Sequence, residues 1–449
     1  MDRFTEQLNR YRPWLILAMF VVGVLLVVGS CREREVVIEE EDALRYSLND
    51  TLRNCYSDHP ATQRMERSIR TWMARNNIRG ASLAIMRDEH LIYCKGFGWA
   101  DKELEREAEA GDIYRIASAS KLITAIGIMK LVDEGKLSVD DTVFGEEGIL
   151  NEFTEYRDKR VPKITVHHLL NHTSGFSRRM GDPMFRSADV MRWMGLHSTL
   201  SSDDVIRYQL GLKLRDKPGG SGQYSNVGYM VLSKIIERVS GMSYEDYLQT
   251  HVLRPAGCYD MHIARNYYEE RFAHEVKYYG HDPGEVIESY DGTGAMRPRE
   301  YGGNNITGLQ GAGAWVASSA ELMRLVASID GKPGVPDILS EASIRQMRHI
   351  DRKGESYYGW ALREGSKWIR TGTMSGTCAY ISSQNQGLSF VLLTNTSSYR
   401  GASFTKRIGR TIENAFARVK EWPIEHDLFV AVPQSDTLSS ADPQQHHTH

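Results

Sequence analysis

Apolar positions recur along the chain with different spacings, and each change of spacing predicts a change of structure. Residues 14–29 form an unbroken apolar run behind Arg3, Arg10 and Arg12. Residues 32–60 are polar, with an acidic run at 39–42, and read as a tether with some helical character. A helix is expected over about 62–76. Two β-rich runs, 81–86 and 90–100, flank the turn-like Arg87-Asp88-Glu89 and predict a hairpin. From 118 to 134 apolar residues fall at Leu122, Ile126, Met129, Val132 and their neighbours, followed by Gly135. That is a helix apolar nearly all round, hence buried, with a glycine at its C-terminal cap. Residues 165–345 read as mainly helical, with irregular insertions at 177–220 and 278–307. Strand character returns over 357–396, with turns at Glu364-Gly365 and Asn385-Gln386-Gly387, and a closing helix is expected over 404–419. Strands at both ends of the body with helices between them imply that the two ends pair in one antiparallel sheet, an α+β arrangement. The expected division is therefore a leader at 1–31, a tether at 32–60, a globular domain at 61–420 and a poorly ordered tail at 421–449.

Composition narrows the function. A net charge of −3 over 449 residues gives no electrostatic footprint for nucleic acid. Five scattered cysteines with no Cys-x-x-Cys pair point to neither a disulfide framework nor a zinc or redox site, and Cys94 and Cys378 lie in strand-like surroundings suited to buried thiols. The leader's apolar run is short for a bilayer span and ends in Gly29-Ser30 just before Cys31. Val28-Gly29-Ser30-Cys31 resembles the lipobox of bacterial lipoproteins, which implies a lipidated Cys31 holding the protein on a membrane. An uncleaved anchor helix is the alternative, and both readings place the globular domain outside the cytoplasm.

Ser118-Ala119-Ser120-Lys121 opens the buried helix, so a hydroxyl and an amine three residues apart share one face. A serine hydroxyl is a weak nucleophile; a desolvated lysine beside the positive end of a helix favours the neutral amine that could take its proton. The spacing alone is weak evidence, and Ser403-Phe404-Thr405-Lys406 repeats it by coincidence. Context separates the two copies. Tyr224-Ser225-Asn226 is the one Tyr-x-Asn in the chain, and Arg370-Thr371-Gly372 is the one cation-Thr-Gly. A tyrosine beside a lysine can be stabilised as phenolate, an asparagine can bond lysine and substrate amide together, and Arg370 would supply fixed positive charge. His167, His168 and His172 have part of a zinc-helix spacing without its glutamate, and read as structural.

These motifs, in this order, resemble the class C β-lactamase and D-alanyl-D-alanine carboxypeptidase branch of the penicillin-recognising serine hydrolases. The resemblance runs from about residue 69 to 417 and includes "IRGASLAIMRDEHLIYCKGFGWAD", "YRIASASKLITA" and "ITVHHLLNHTSGF". It implies a β-lactamase/transpeptidase-like antiparallel sheet flanked by helices with an inserted helical region. It also implies a Ser118 acyl-enzyme, acid–base work shared by Lys121 and Tyr224, and substrate binding by Asn226, Arg370, Thr371 and Gly372. The oxyanion hole would come from the backbone N–H groups of Ser118 and Thr373, and neither a metal nor a cofactor is implied. The expected partner is a small molecule or peptide, such as a cell-wall peptide. The third motif departs from the family, which uses lysine or histidine where this chain has Arg370; an arginine keeps the charge but does not relay protons. A carboxylesterase of the same fold, or a non-catalytic membrane-tethered sensor of wall peptide, are the competing readings.

Overall fold

A computed structural model describes residues 47–430, apart from 283, 350–356, 399, 425 and 426. The expected leader, Cys31, most of the tether and the tail beyond 430 lie outside the described residues. The central sheet has seven strands: β1 (Gly80–Arg87), β2 (His90–Asp101), β3 (Arg106–Glu107), β4 (Leu362–Glu364), β5 (Lys367–Met374), β6 (Thr377–Gln384) and β7 (Leu388–Thr394). Their order is β3-β2-β1-β7-β6-β5-β4, so the first and last parts of the domain meet where β1 pairs antiparallel with β7. The helices that matter most here are α1 (Gln63–Arg75), α2 (Ser120–Asp133), α3 (Asn226–Ser240), α4 (Ser319–Ala327) and α5 (Ala402–Phe416), with α2 and α3 packed on each other. This is the β-lactamase/transpeptidase fold, α+β.

Layering follows from side-chain periods. In β1, Leu83 and Ile85 join one core while Ala84 and Met86 join the other, and in β7 Phe390 and Leu392 alternate with Val391 and Leu393 in the same way. Strands buried on both faces carry continuous apolar runs rather than an alternation with polar residues. The outer core is closed by Met65, Ile69 and Met73 of α1 with Phe404, Ile408 and Ile412 of α5, each set spaced four residues apart on one helix face. Trp72 stacks on Phe404 with ring centres 5.8 Å apart. On the other face α4 packs on β1 and β7, and the larger core surrounds α2, whose residues from Ser120 to Met129 are all buried. Burying each such Leu, Ile or Phe contributes on the order of 1.5–3 kcal/mol.

Two expected boundaries shift. Residues 47–60, read as tether, pack on the domain: Leu52 is buried, Asn49 donates to Asp260 at 3.0 Å, and Asn54 accepts from the Gly96 amide at 2.7 Å. Ser57 both donates to the Cys94 carbonyl at 2.8 Å and accepts from its amide at 2.9 Å. Within the expected tail, the Leu428 amide donates to the Leu91 carbonyl at 2.9 Å. A polar segment reads as linker until a strand edge offers it hydrogen-bond partners, and sequence spacing cannot reveal that edge. The hairpin turn lies where expected, with Asp88 and Glu89 both at positive φ (49° and 64°) despite lacking the usual glycine. No helix of the described residues is long and apolar enough to cross a membrane.

Strand β5 passes so close to the turn before α2 that only a glycine fits at 372. A methyl group there would lie 2.1 Å from the Ile116 carbonyl oxygen and 3.1 Å from the Ser118 nitrogen. Gly372→Ala is therefore expected to lower stability by about 1–3 kcal/mol through overpacking. Thermal unfolding of the variant beside wild type measures this, and an unchanged midpoint would contradict the close approach.

Candidate active site

Ser118 lies in a 3-10 turn, Ala117–Ala119, that feeds α2. Expected as the first helical residue, it instead sits one turn-step before the helix, where Ala117 takes a left-handed φ of 48°. That conformation costs a residue with a Cβ roughly 1–2 kcal/mol. Neighbours on both sides hold it: the Ile116 amide donates to the Trp315 carbonyl at 3.0 Å, and the Trp315 amide donates to the Ser120 hydroxyl at 3.1 Å. Lys121 follows on the first turn of α2 and is wholly buried.

The Lys121 amine donates to Ser118 Oγ at 3.3 Å, to Asn226 Oδ1 at 2.8 Å and, in a very short contact, to the Ala312 carbonyl. It also stands 4.9 Å from the ring centre of Tyr224 and 5.5 Å from that of Tyr229. Burial lowers its pKa to about 8, and the positive Arg370 adds to the fall while Tyr224 opposes it. The Tyr224 hydroxyl donates to Ser118 Oγ at 2.7 Å. Burial acts to raise the phenol, but the Lys121 and Arg370 charges outweigh it and bring the pKa down to about 8. An alcohol thus lies within hydrogen-bond reach of two groups that change protonation just above neutrality, and those two titrate as a coupled pair.

Local chain chemistry sets this geometry. Ser225 caps α3, its hydroxyl accepting the Gly228 amide at 3.0 Å, which fixes Tyr224 just outside the helix and Asn226 as its first residue. The Ser225 amide in turn donates to His172 Nδ1 at 3.2 Å. The His172 ring lies 4.5 Å from that of Tyr224 and 5.1 Å from that of Tyr229. Burial, with the Lys121 and Arg370 charges, holds its pKa well below the usual histidine value, so it accepts as a neutral imidazole. His168 closes the capping box of the helix Val166–Leu170, and His167 bonds the Tyr358 hydroxyl. Among the described residues no group of three or more His, Cys, Asp or Glu side chains is arranged to hold a metal ion.

The structure brings together Ser118, Lys121, Tyr224, Asn226 and Arg370, and alters the expected part of several residues. Arg370 is 1% exposed and turned inward: Nε donates to the Ser118 carbonyl at 2.8 Å and a terminal nitrogen to the Tyr224 hydroxyl at 3.3 Å. These contacts serve the nucleophile's turn and the phenol, where the resemblance implied a contact with substrate. Asn226 donates from its amide nitrogen to Asp182 at 2.7 Å. The pleat divides β5, with Arg370 and Gly372 toward Ser118 and Thr371 and Thr373 on the opposite face, where the Thr373 hydroxyl bonds that of Thr405 in α5. Thr371 therefore does not present its hydroxyl to Ser118, and Gly372 makes room for the Ser118 turn. Ser403 is exposed and donates to the Arg400 carbonyl at 2.8 Å, an ordinary helix-entry contact.

Sequence reasoning missed Asp182. It caps the short turn Pro183–Phe185, accepts from the Met184 amide at 3.1 Å and anchors Asn226 across 44 residues of chain. The Asp182-Pro183 pair is a turn signal, but nothing in it points to Asn226. Tyr229 and the Ala312 carbonyl were likewise beyond reach, because they enter only through folding.

Comparison with known proteins places this geometry. Residues 65–409 match the Beta-lactamase family, and both family and relatives are hydrolases. A penicillin-binding protein of Bacillus subtilis (strain 168) is 28% identical over 298 residues, covering 64% of this chain but only 60% of that protein's length. The esterase EstB of Burkholderia gladioli is 27% identical over 358 residues, covering 72% of this chain and 87% of the esterase. A D-amino acid amidase from Ochrobactrum anthropi SV3 shares the fold, with a TM-score of 0.63 and 20% identity over 81% of this chain and 99% of that one. With the family match spanning most of the described domain, the chain belongs to the Beta-lactamase family of serine hydrolases related to penicillin-binding proteins.

Proposed function

We propose that this protein cleaves an amide or ester through an acyl-enzyme on Ser118, acting on a D-amino-acid-containing peptide of the D-Ala-D-Ala type or on a related β-lactam. The observation that carries the reading is the Ser118 hydroxyl between a phenol at 2.7 Å and an amine at 3.3 Å, each with its pKa drawn to about 8. Near neutral pH a usable fraction of the pair is short of one proton and acts as general base. That proton site takes the hydrogen of Ser118 as Oγ bonds to the carbonyl carbon and the carbonyl π electrons move to oxygen. The backbone N–H groups of Ser118 and Thr373 receive the oxyanion. Collapse expels the amine or alkoxide, which recovers the proton from the pair, and water then repeats the sequence to release the acid and restore Ser118. Arg370 stabilises the phenolate, and Asn226 fixes the amine.

A carboxylesterase is the second reading, favoured by the likeness to EstB over 87% of its length and by a buried Arg370 that cannot exchange protons. Comparing short acyl esters with D-Ala-D-Ala peptides as substrates separates the two.

Incubation with a fluorophosphonate, followed by intact mass, is expected to show one adduct that is absent from Ser118→Ala. Retention of the adduct in that variant would refute the nucleophile, and no adduct in wild type would favour the non-catalytic sensor. The pH profile of kcat/KM is expected to rise through an apparent pKa near 8, as the pair loses its proton. Because the Arg370 charge lowers both groups, Arg370→Gln should move that limb to higher pH, and a limb that stays put would remove Arg370 from the pair's electrostatics. His172→Leu leaves the Ser225 amide without an acceptor and is expected to cut kcat about tenfold or more with little change in KM. His172→Asn, which restores an acceptor and tolerates the positive φ of 63°, should recover most of it; equal losses in the two variants would reduce His172 to packing.

A further inference from the structure

A cavity of about 640 Å³ opens beside the site, within the size range of small-ligand pockets. Arg157, Arg178, Arg179, Lys213 and Arg215 line it together with Gln223, and no Asp or Glu is among its lining residues. Elsewhere in this region the arginines are paired: Arg160 with Asp158, Arg186 with Asp189, Arg207 with Asp203 and Asp204, and Arg238 with Glu152. The cavity differs. Among the described residues the side chains of Arg157, Arg179, Lys213 and Arg215 have neither an ion pair nor a hydrogen bond. Arg178 alone is engaged, donating to the Tyr224 carbonyl at 3.4 Å and lying 3.9 Å from Asp182.

Clustering five cations around one concavity costs self-repulsion that an anionic ligand would relieve, and concave walls focus the field of such a cluster. A ligand complementary to this cavity therefore presents several carboxylates to the guanidinium and ammonium groups. Within the peptide substrate class proposed above, acidic side chains supply them. Gln223 directly precedes Tyr224, and Arg178 bonds the Tyr224 backbone, so the occupied cavity adjoins the residue whose hydroxyl touches Ser118.

From this we infer that the cavity is a subsite for the acidic portion of a peptide substrate, bearing two or more carboxylates, next to the bond that is cut. The placement of that bond rests on the serine hydrolase reading; the binding of the acidic peptide does not.

Calorimetric titration of the full-length Ser118→Ala protein, in a non-ionic detergent, with acetyl-Glu-Glu-Glu-amide and acetyl-Gln-Gln-Gln-amide tests the subsite without turnover. The glutamyl peptide is expected to bind about tenfold or more tighter, the sum of several partly exposed charge pairs. That preference should shrink as salt rises from about 0.05 to 0.5 M, where screening shortens the reach of each charge. It should also fall severalfold when Lys213→Gln and Arg215→Gln are added. Equal binding of the two peptides, or an undiminished preference in the added double variant, would overturn the subsite. In active protein, the ratio of kcat/KM for glutamyl over glutaminyl forms of one substrate should follow the same order. If Ser118 takes the fluorophosphonate label but the glutamyl peptide shows no advantage, the subsite fails and the hydrolase stands. If the glutamyl peptide binds as expected but Ser118 takes no label, the hydrolase fails and the subsite stands.

Discussion

The site depends on a primary amine buried without a carboxylate partner. Lys121 is wholly inside, its hydrogen-bond partners are the neutral oxygens of Asn226, Ala312 and Ser118, and Arg370 adds positive charge nearby. A buried ammonium paired with a carboxylate would stay charged and serve as a structural ion pair; neutral acceptors solvate it only in part, and the pKa drops toward the physiological range. Much of the architecture serves this condition. Helix α2 is buried almost all round, which excludes water, and β5 seals its entry by approaching the Ser118 turn where residue 372 has no side chain.

The phenol completes the device by the opposite route. Tyr224 is 38% exposed at the mouth of the site, and its proton is loosened by the two cations behind it rather than by its surroundings as a whole. One group is made less basic by burial and the other more acidic by charge, so the two meet near the same pH. An arginine in the third motif suits this arrangement, since its planar fork reaches the Ser118 carbonyl and the Tyr224 hydroxyl at once, which a lysine's single nitrogen would do less well. The cost is a charge that cannot carry a proton. Catalytic proton traffic is thereby confined to Lys121 and Tyr224 in the proposed mechanism.

Positioning relies on polar contacts between distant segments. His172, held at a left-handed φ, supplies the acceptor that orients the Ser225 amide, and Asp182 takes the nitrogen of Asn226 so that its oxygen faces the amine. His172 lies just before the irregular insertion and Asp182 within it, and that insertion also supplies most of the lining of the cationic cavity. The same insertion therefore supports the site's geometry and supplies four of the five cations of the cavity, Arg178, Arg179, Lys213 and Arg215.

The α+β class, the pairing of the chain's two ends, the buried helix after Ser118 and the association of Ser118, Lys121, Tyr224, Asn226 and Arg370 were legible in the sequence. Apolar periodicity and short motifs encode local conformation, and the three-residue spacing brings Ser118, in the 3-10 turn, next to Lys121 on the first turn of α2. The roles of Arg370, Thr371 and Gly372 were not legible, because strand pleat and the depth of β5 against the Ser118 turn decide which side chains face the nucleophile. Nor were Asp182 and the packing of residues 47–60, whose partners lie far along the chain. Sequence by itself thus set the chemistry available, while tertiary structure alone decided desolvation and direction, since both depend on what the rest of the chain brings within a few ångströms.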